Sequence, residues 1–91
     1  MSNILEQFYQ LVPDENLCEK LIRSHQKEYL RKRLRFIKNL WEGKTEKEAY
    51  KKAKISKTTA NRCLHKIVKL GIAEGLKELS TPKESKRDFL L

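Results

Sequence analysis

Lys57, Thr58, Asn61 and Arg62 fall close together in the stretch KISKTTANRCLHKIVKLG, residues 54–71. Lysine and arginine can donate to the acceptors of a guanine edge. Asparagine can pair in both directions with adenine, and threonine can donate, accept or touch a thymine methyl group. On the first turns of one helix, the four would form a hydrogen-bonding tip suited to reading base edges. Ser56 stands where an N-cap belongs, its side-chain oxygen able to accept from first-turn amides. Behind the tip, Ala60, Cys63, Leu64, Ile67, Val68 and Leu70 recur at helical spacing and predict a buried side. Gly71 fits the left-handed position that ends a helix. Thr59 is expected to face a bracing helix or a phosphate. Lys66 and Lys69, further along, are expected to meet phosphates rather than bases.

Chemistry of other kinds finds no constellation. His25 and His65 lack partners, and Cys63 and His65 are helix neighbours that point in different directions. With Cys18 they give no metal-ligand spacing. Asp14 and Asp88 are the only aspartates, and neither stands in a recognisable set. There is no glycine-rich phosphate loop and no nucleophile motif. The expectation is a chain that is not an enzyme and carries no metal or cofactor. Cys18 and Cys63 read as small buried hydrophobes in a reducing compartment, with a disulfide between them as the alternative.

A tip of this kind has to be held. Upstream, TEKE has the form of a capping box, with Thr45 as N-cap and Glu48 three residues on, opening a helix to about Ala53. Residues 54–56 then break the chain. Two short helices across a three-residue turn form a helix-turn-helix, with the first helix bracing the second and Ile55 plugging the junction. In that arrangement the second helix enters a major groove N-terminus first. Lys44, Thr45, Lys47 and Lys51 around the bracing helix, with Lys54 and Ser56 in the turn, become candidates for phosphate contact.

Residues 43–72, GKTEKEAYKKAKISKTTANRCLHKIVKLGI, resemble the helix-turn-helix core of bacterial and archaeal winged-helix transcriptional regulators. The usual form there is T-x-x-E-I-A-x-x-L-G-I-S-x-x-T-V-x-R-x-L-x-x-L-x-x-x-G. Thr45, Glu48, Ile55, Ser56, Thr59, Arg62, Leu64, Ile67 and Gly71 match it. The same core is similar to the N-terminal helix-turn-helix of mariner-like insertion-sequence transposases, in which case this chain would be only the DNA-binding module. The first resemblance implies that residues 72–91 form a wing, with Lys83, Lys86 and Arg87 near its tip. Four positions depart from the pattern. Tyr50 stands in place of Ala, Ala53 in place of Leu, Lys54 in place of Gly, and Ala60 in place of Val or Ile. A volume exchange, the Tyr50 ring filling space vacated by the two alanines, would reconcile three of them. Lys54 would be strained by about 1 kcal/mol relative to glycine if the turn requires positive φ there.

The remaining chain supplies support and charge. Residues 3–12 place Ile4, Leu5, Phe8, Leu11 and Val12 on a helical stripe that Pro13 stops. A second helix is expected over 14–24, capped by Asp14, with Leu17, Cys18, Leu21 and Ile22 inward. Both are candidates for core packing or for dimerisation. Residues 25–42 read as a longer amphipathic helix ending at Gly43. Its stripe is Leu30, Leu34, Ile37 and Trp41, widened by Tyr29, Phe36 and Leu40. Basic residues, Arg33 among them, cover its other faces. Arg31, Arg35 and Lys38 are taken as phosphate contacts. The tail fits a β-hairpin around Pro82, although AEGLKEL also fits a short helix; Gly75 and the apolar FLL favour the hairpin.

The chain has 91 residues, 38% of them apolar, which suits one small, mainly helical domain with a modest core. Net charge is −2 over residues 1–24, +11 over 25–71 and zero over 72–91, so the helix-turn-helix region carries the whole +9. A solvated face would serve solubility as well, but a surface rich in both lysine and glutamate would keep its acids in step. The block points to a polyanion. No stretch is long and apolar enough to span a membrane, and the N-terminus lacks the form of a secretion signal, so a cytoplasmic, nucleoid-associated location is expected. Double-stranded DNA is the expected partner, bound as a homodimer, with no small-molecule ligand evident. An architectural DNA binder, a non-enzymatic protein adaptor on a winged-helix scaffold and an RNA binder are the competing readings. The aromatics form no stacking pattern of the kind single-stranded RNA requires.

Overall fold

The computed structural model describes residues 4–81, and these form six helices with no strand among them. They are α1 (Ile4–Tyr9), α2 (Glu15–Ser24), α3 (Glu28–Trp41), α4 (Glu46–Ala53), α5 (Lys57–Leu70) and α6 (Ile72–Leu79). The mainly helical expectation holds, and the ends are set by local signals. Asp14 Oδ1 accepts from the Leu17 amide at 3.1 Å and caps α2. Gly43 ends α3 at φ +99°, which a side chain would resist.

The centre is α3, which packs against α2, α4, α5 and α6. Its Leu34, Ile37 and Leu40 meet Leu64 and Ile67 of α5 and Leu76 and Leu79 of α6 in one core. The two N-terminal helices turn their apolar stripes into that same core. Phe8 is fully buried and stacks on Trp41 at 5.7 Å between ring centroids. Burial of such a side chain contributes about 1.5–3 kcal/mol. Tyr9 adds a hydrogen bond from its hydroxyl to the Leu40 carbonyl at 3.4 Å. The N-terminal helices therefore act as packing elements for this chain's own core.

The wing is corrected. Residues 72–79, expected as a strand, form α6. Gly71 explains the start: at φ +93°, ψ 168° it occupies a region open essentially to glycine, so α6 begins directly after α5. Gly75 explains the packing. A Cβ built there would lie 2.7 Å from Ile67 Cα, so the missing side chain lets α6 cross α5 backbone to backbone. A glycine that looked like a strand signal is a close-approach site. Lys83, Lys86 and Arg87, the expected wing contacts, lie outside the described residues.

Three smaller expectations also change. Val12 is 82% exposed because the chain leaves α1 after Tyr9. Pro13 disfavours helical backbone at the residue before it. Leu70 is 43% exposed, beyond the crossing of α6 over Ile67. The long basic helix begins at Glu28, with His25 and Lys27 extended. Cys18 and Cys63 are buried and not disulfide-linked.

Candidate nucleic-acid interface

The bracing helix is fixed at both ends. The Thr45 hydroxyl oxygen accepts from the Glu48 amide at 3.2 Å, and Glu48 Oε1 accepts from the Thr45 amide at 3.1 Å, closing the expected capping box. The Thr45 hydroxyl proton stays available to a phosphate. In the middle of α4, the Asn39 side-chain amide donates to the Ala49 carbonyl at 3.2 Å and ties the helix to α3. Ala49, Ala53 and Ala60 are all buried, so small side chains line the packed sides of α4 and α5. Tyr50 is half-buried and packs against the edge of the core.

The turn is strained where expected. Lys54 lies at φ 63°, ψ 43°, in the left-handed region. Its amide donates to the Lys51 carbonyl, and the Ile55 amide donates to the Tyr50 carbonyl, each at 3.1 Å. This pair of bonds is the glycine-favouring close of a helix. Ile55 packs on the core as the plug between the two helices. Lys54→Gly is expected to raise stability by about 1 kcal/mol, read by chemical denaturation. No gain would mean that the turn carries no such strain.

Ser56 begins α5 as expected. Its oxygen accepts from the Thr59 amide at 3.1 Å, and its hydroxyl donates to Thr59 Oγ1 at 3.0 Å. Lys57, Thr58, Asn61 and Arg62 are all exposed, and Lys69 continues their face toward the helix end. His65 is exposed on the same face, between Asn61 and Lys69. Its ring is a further polar group on that exposed face. The spacing of Thr58, Asn61 and His65, three and then four residues, was the available signal. Cys63 lies on the opposite, buried side of α5.

The basic residues of α3 divide between two flanks. Arg31, Arg35 and Lys38 recur at the spacing of one helical stripe, and that stripe meets acidic groups. Lys38 pairs with Glu19 of α2 at 2.8 Å and with Glu42 at 3.7 Å. Arg31 pairs with Glu28 at 3.7 Å. Lys44 is paired as well, with Glu42 at 3.0 Å. The structure thus holds Lys38, Arg31 and Lys44 against carboxylates rather than grouping them with the α5 face. Lys47, Lys51 and Lys54 are exposed on the α4 side. Arg33 is the residue that sequence reasoning placed on the wrong side. It lies half-buried on the apolar flank of α3, its guanidinium 5.2 Å from the Tyr29 ring centre. It lines a cleft with Thr59, Arg62 and Lys66.

The Glu19–Lys38 pair has a pH consequence. The hydrogen bond from Lys38 first, and then the charges of Lys38, Arg23 and Arg35, hold the Glu19 carboxyl below its ordinary range against a desolvation that opposes them. A lowered carboxyl contributes stability above its unfolded pKa, and that contribution disappears as pH falls through the folded value. The same bond raises the Lys38 ammonium, so its part fades only as pH rises through the lysine range. Glu19→Gln is therefore expected to be least stable relative to the parent at neutral pH, with the gap closing in acid. Denaturation curves across the acid range check this. A gap that persisted below the glutamate range would contradict it.

Burial pushes the Cys18 thiol up to about 12, and its Sγ donates to the Leu34 carbonyl at 3.3 Å. A thiol held protonated is a poor nucleophile. No helix of the described residues is long and apolar enough to cross a membrane. No three histidines, cysteines or acidic residues among them come together as a metal site would require. Comparison with family models, curated proteins and solved structures gives no match to this chain.

Proposed function

We propose that this chain binds double-stranded DNA sequence-specifically through α4 and α5 and acts as a transcriptional regulator. The observation that carries the reading is the outer face of α5. Lys57, Thr58, Asn61, Arg62, His65 and Lys69 are all exposed there, and the helix contains no acidic residue. A face so rich in donors, with nothing to repel a polyanion, is what a major-groove helix requires.

In this reading Asn61 contacts adenine and Lys57 and Arg62 contact guanine, while Thr58 and His65 adjust to their neighbours. Lys47, Lys51, Lys54 and Lys69, with the Thr45 hydroxyl, hold the phosphates on either side and set the register. Lys54 gains a purpose that offsets its strained backbone. Two copies related by a two-fold axis would present two α5 helices to successive major grooves about 34 Å apart.

The test is binding of a labelled duplex by fluorescence anisotropy over rising salt. The reading expects tight binding at low salt and a linear fall of log affinity against log salt, the signature of released counterions. Absence of binding at low salt would end the proposal and turn the basic face toward an acidic protein partner.

A further inference from the structure

Between α3, α5 and the end of α6 lies a cleft of about 100 Å³, lined by Arg33, Thr59, Arg62, Cys63, Lys66 and Leu79. Three of these residues are cations, Arg33 from α3 and Arg62 and Lys66 from α5. None of the ion pairs of the described residues joins a carboxylate to Arg33, Arg62 or Lys66. Thr59 Oγ1 already accepts from Ser56, which leaves the Thr59 hydroxyl proton to donate into the cleft. An oxyanion in the cleft would meet cations that no carboxylate of the described residues answers.

We infer that this cleft binds the terminal phosphate group of a small phosphorylated ligand. The donor set selects the chemistry. A phosphate monoester carries nearly two negative charges at neutral pH and three strong acceptor oxygens. Two guanidinium forks, an ammonium and a hydroxyl can serve those three oxygens. A carboxylate or a backbone phosphodiester offers one charge and two free oxygens and leaves donors unanswered. The volume fits the phosphate end alone, being well below the roughly 300–1,000 Å³ of pockets that enclose whole ligands. Cys63 and Leu79, both buried, line the same cleft and limit the water that competes with the anion.

Arg62 belongs to both this cleft and the outer face of α5. A bound phosphate draws its guanidinium toward Arg33 and away from a base edge, so ligand binding and duplex reading oppose each other. That consequence rests on the proposed duplex reading, whereas the phosphate site itself does not.

The experiment titrates the full, isotopically labelled chain with inorganic phosphate near neutral pH. Ionic strength is held constant with sodium chloride, and amide resonances are followed. Saturable shifts confined to the neighbourhood of Thr59, Arg62, Cys63 and Lys66 are expected. Arg33→Gln is expected to weaken phosphate roughly tenfold or more, the effect of removing one charge-assisted contact. Circular dichroism confirms its fold, and Lys66→Gln serves as the second variant for the same readout. Shifts that never saturate and spread over every lysine-bearing helix would overturn the site. Unchanged phosphate affinity in both variants would do the same. A duplex lacking terminal phosphates separates the sources: Arg33→Gln is expected to leave its affinity unchanged. An equal loss for duplex and phosphate would overturn the small-ligand assignment and give the cleft to the DNA backbone. Saturable phosphate binding in a chain that ignores duplexes at every salt concentration would support this site while ending the proposed function.

Discussion

Asn61→Ala is expected to relax the chain's preference at one base-pair position while leaving its fold intact. Asn61 is exposed near the middle of the α5 face, one turn from the helix start. Its carboxamide is the one group on that face shaped to donate to and accept from an adenine edge together. Such a bidentate contact discriminates by about 1–3 kcal/mol, roughly 5- to 150-fold in affinity. The loss should fall on the preferred sequence alone, because a mismatched duplex never offered the contact. Lys69→Ala makes the control. A phosphate contact is expected to weaken all sequences alike and to lower the salt slope by about one. Competition binding between preferred and scrambled duplexes measures both. If Asn61→Ala weakened every duplex equally, Asn61 would be a backbone contact and the assignment of the reading face would fail.

Gly75→Ala is expected to destabilise the fold by about 3 kcal/mol, at the upper end of overpacking changes. The added methyl would lie 2.7 Å from Ile67 Cα, 2.8 Å from Ile67 Cδ1 and 3.2 Å from the Lys66 carbonyl oxygen. The first and third of these are backbone, so no rotamer change relieves them and α6 must move off α5. Leu76 and Leu79, which α6 delivers to the core, would move with it. For a domain of this size the change corresponds to a fall in melting temperature of roughly 12–24 °C. Gly43→Ala separates the two uses of glycine. Gly43 has open space around its Cβ position and a φ of +99°, so only backbone strain opposes the substitution. A loss of about 1 kcal/mol is expected there. Equal melting temperatures for the two variants would show that the close crossing is not what Gly75 provides.

What could be read from the residues alone follows a physical line. Caps were legible, because Asp14, Thr45 with Glu48, and Ser56 act on backbone amides three residues away. The strain at Lys54 was legible only as a condition, through the glycine that the resembled pattern carries at that position, and the left-handed backbone meets that condition. The outward tip of α5 followed from the position of its apolar stripe. Features decided by a distant partner were not legible. Gly75 resembles any strand or loop glycine until Ile67 stands opposite it. Arg33 counts as one more cation in a basic helix until α5 and α6 pack beside the flank of α3 that bears Phe36 and Leu40. Lys38 looked available to DNA because Glu19, on another helix, could not be placed beside it. Helical spacing alone puts His65 on the exposed face of α5 with Thr58 and Asn61.

The central claim, that α5 reads sequence, is tested most directly by selecting bound duplexes from a random library at ~150 mM salt, where sequence-blind phosphate binding has weakened. The account predicts an enriched motif containing adenine and guanine positions, and two inverted copies of it if the chain acts as a dimer. Duplexes retained without any enrichment would contradict it.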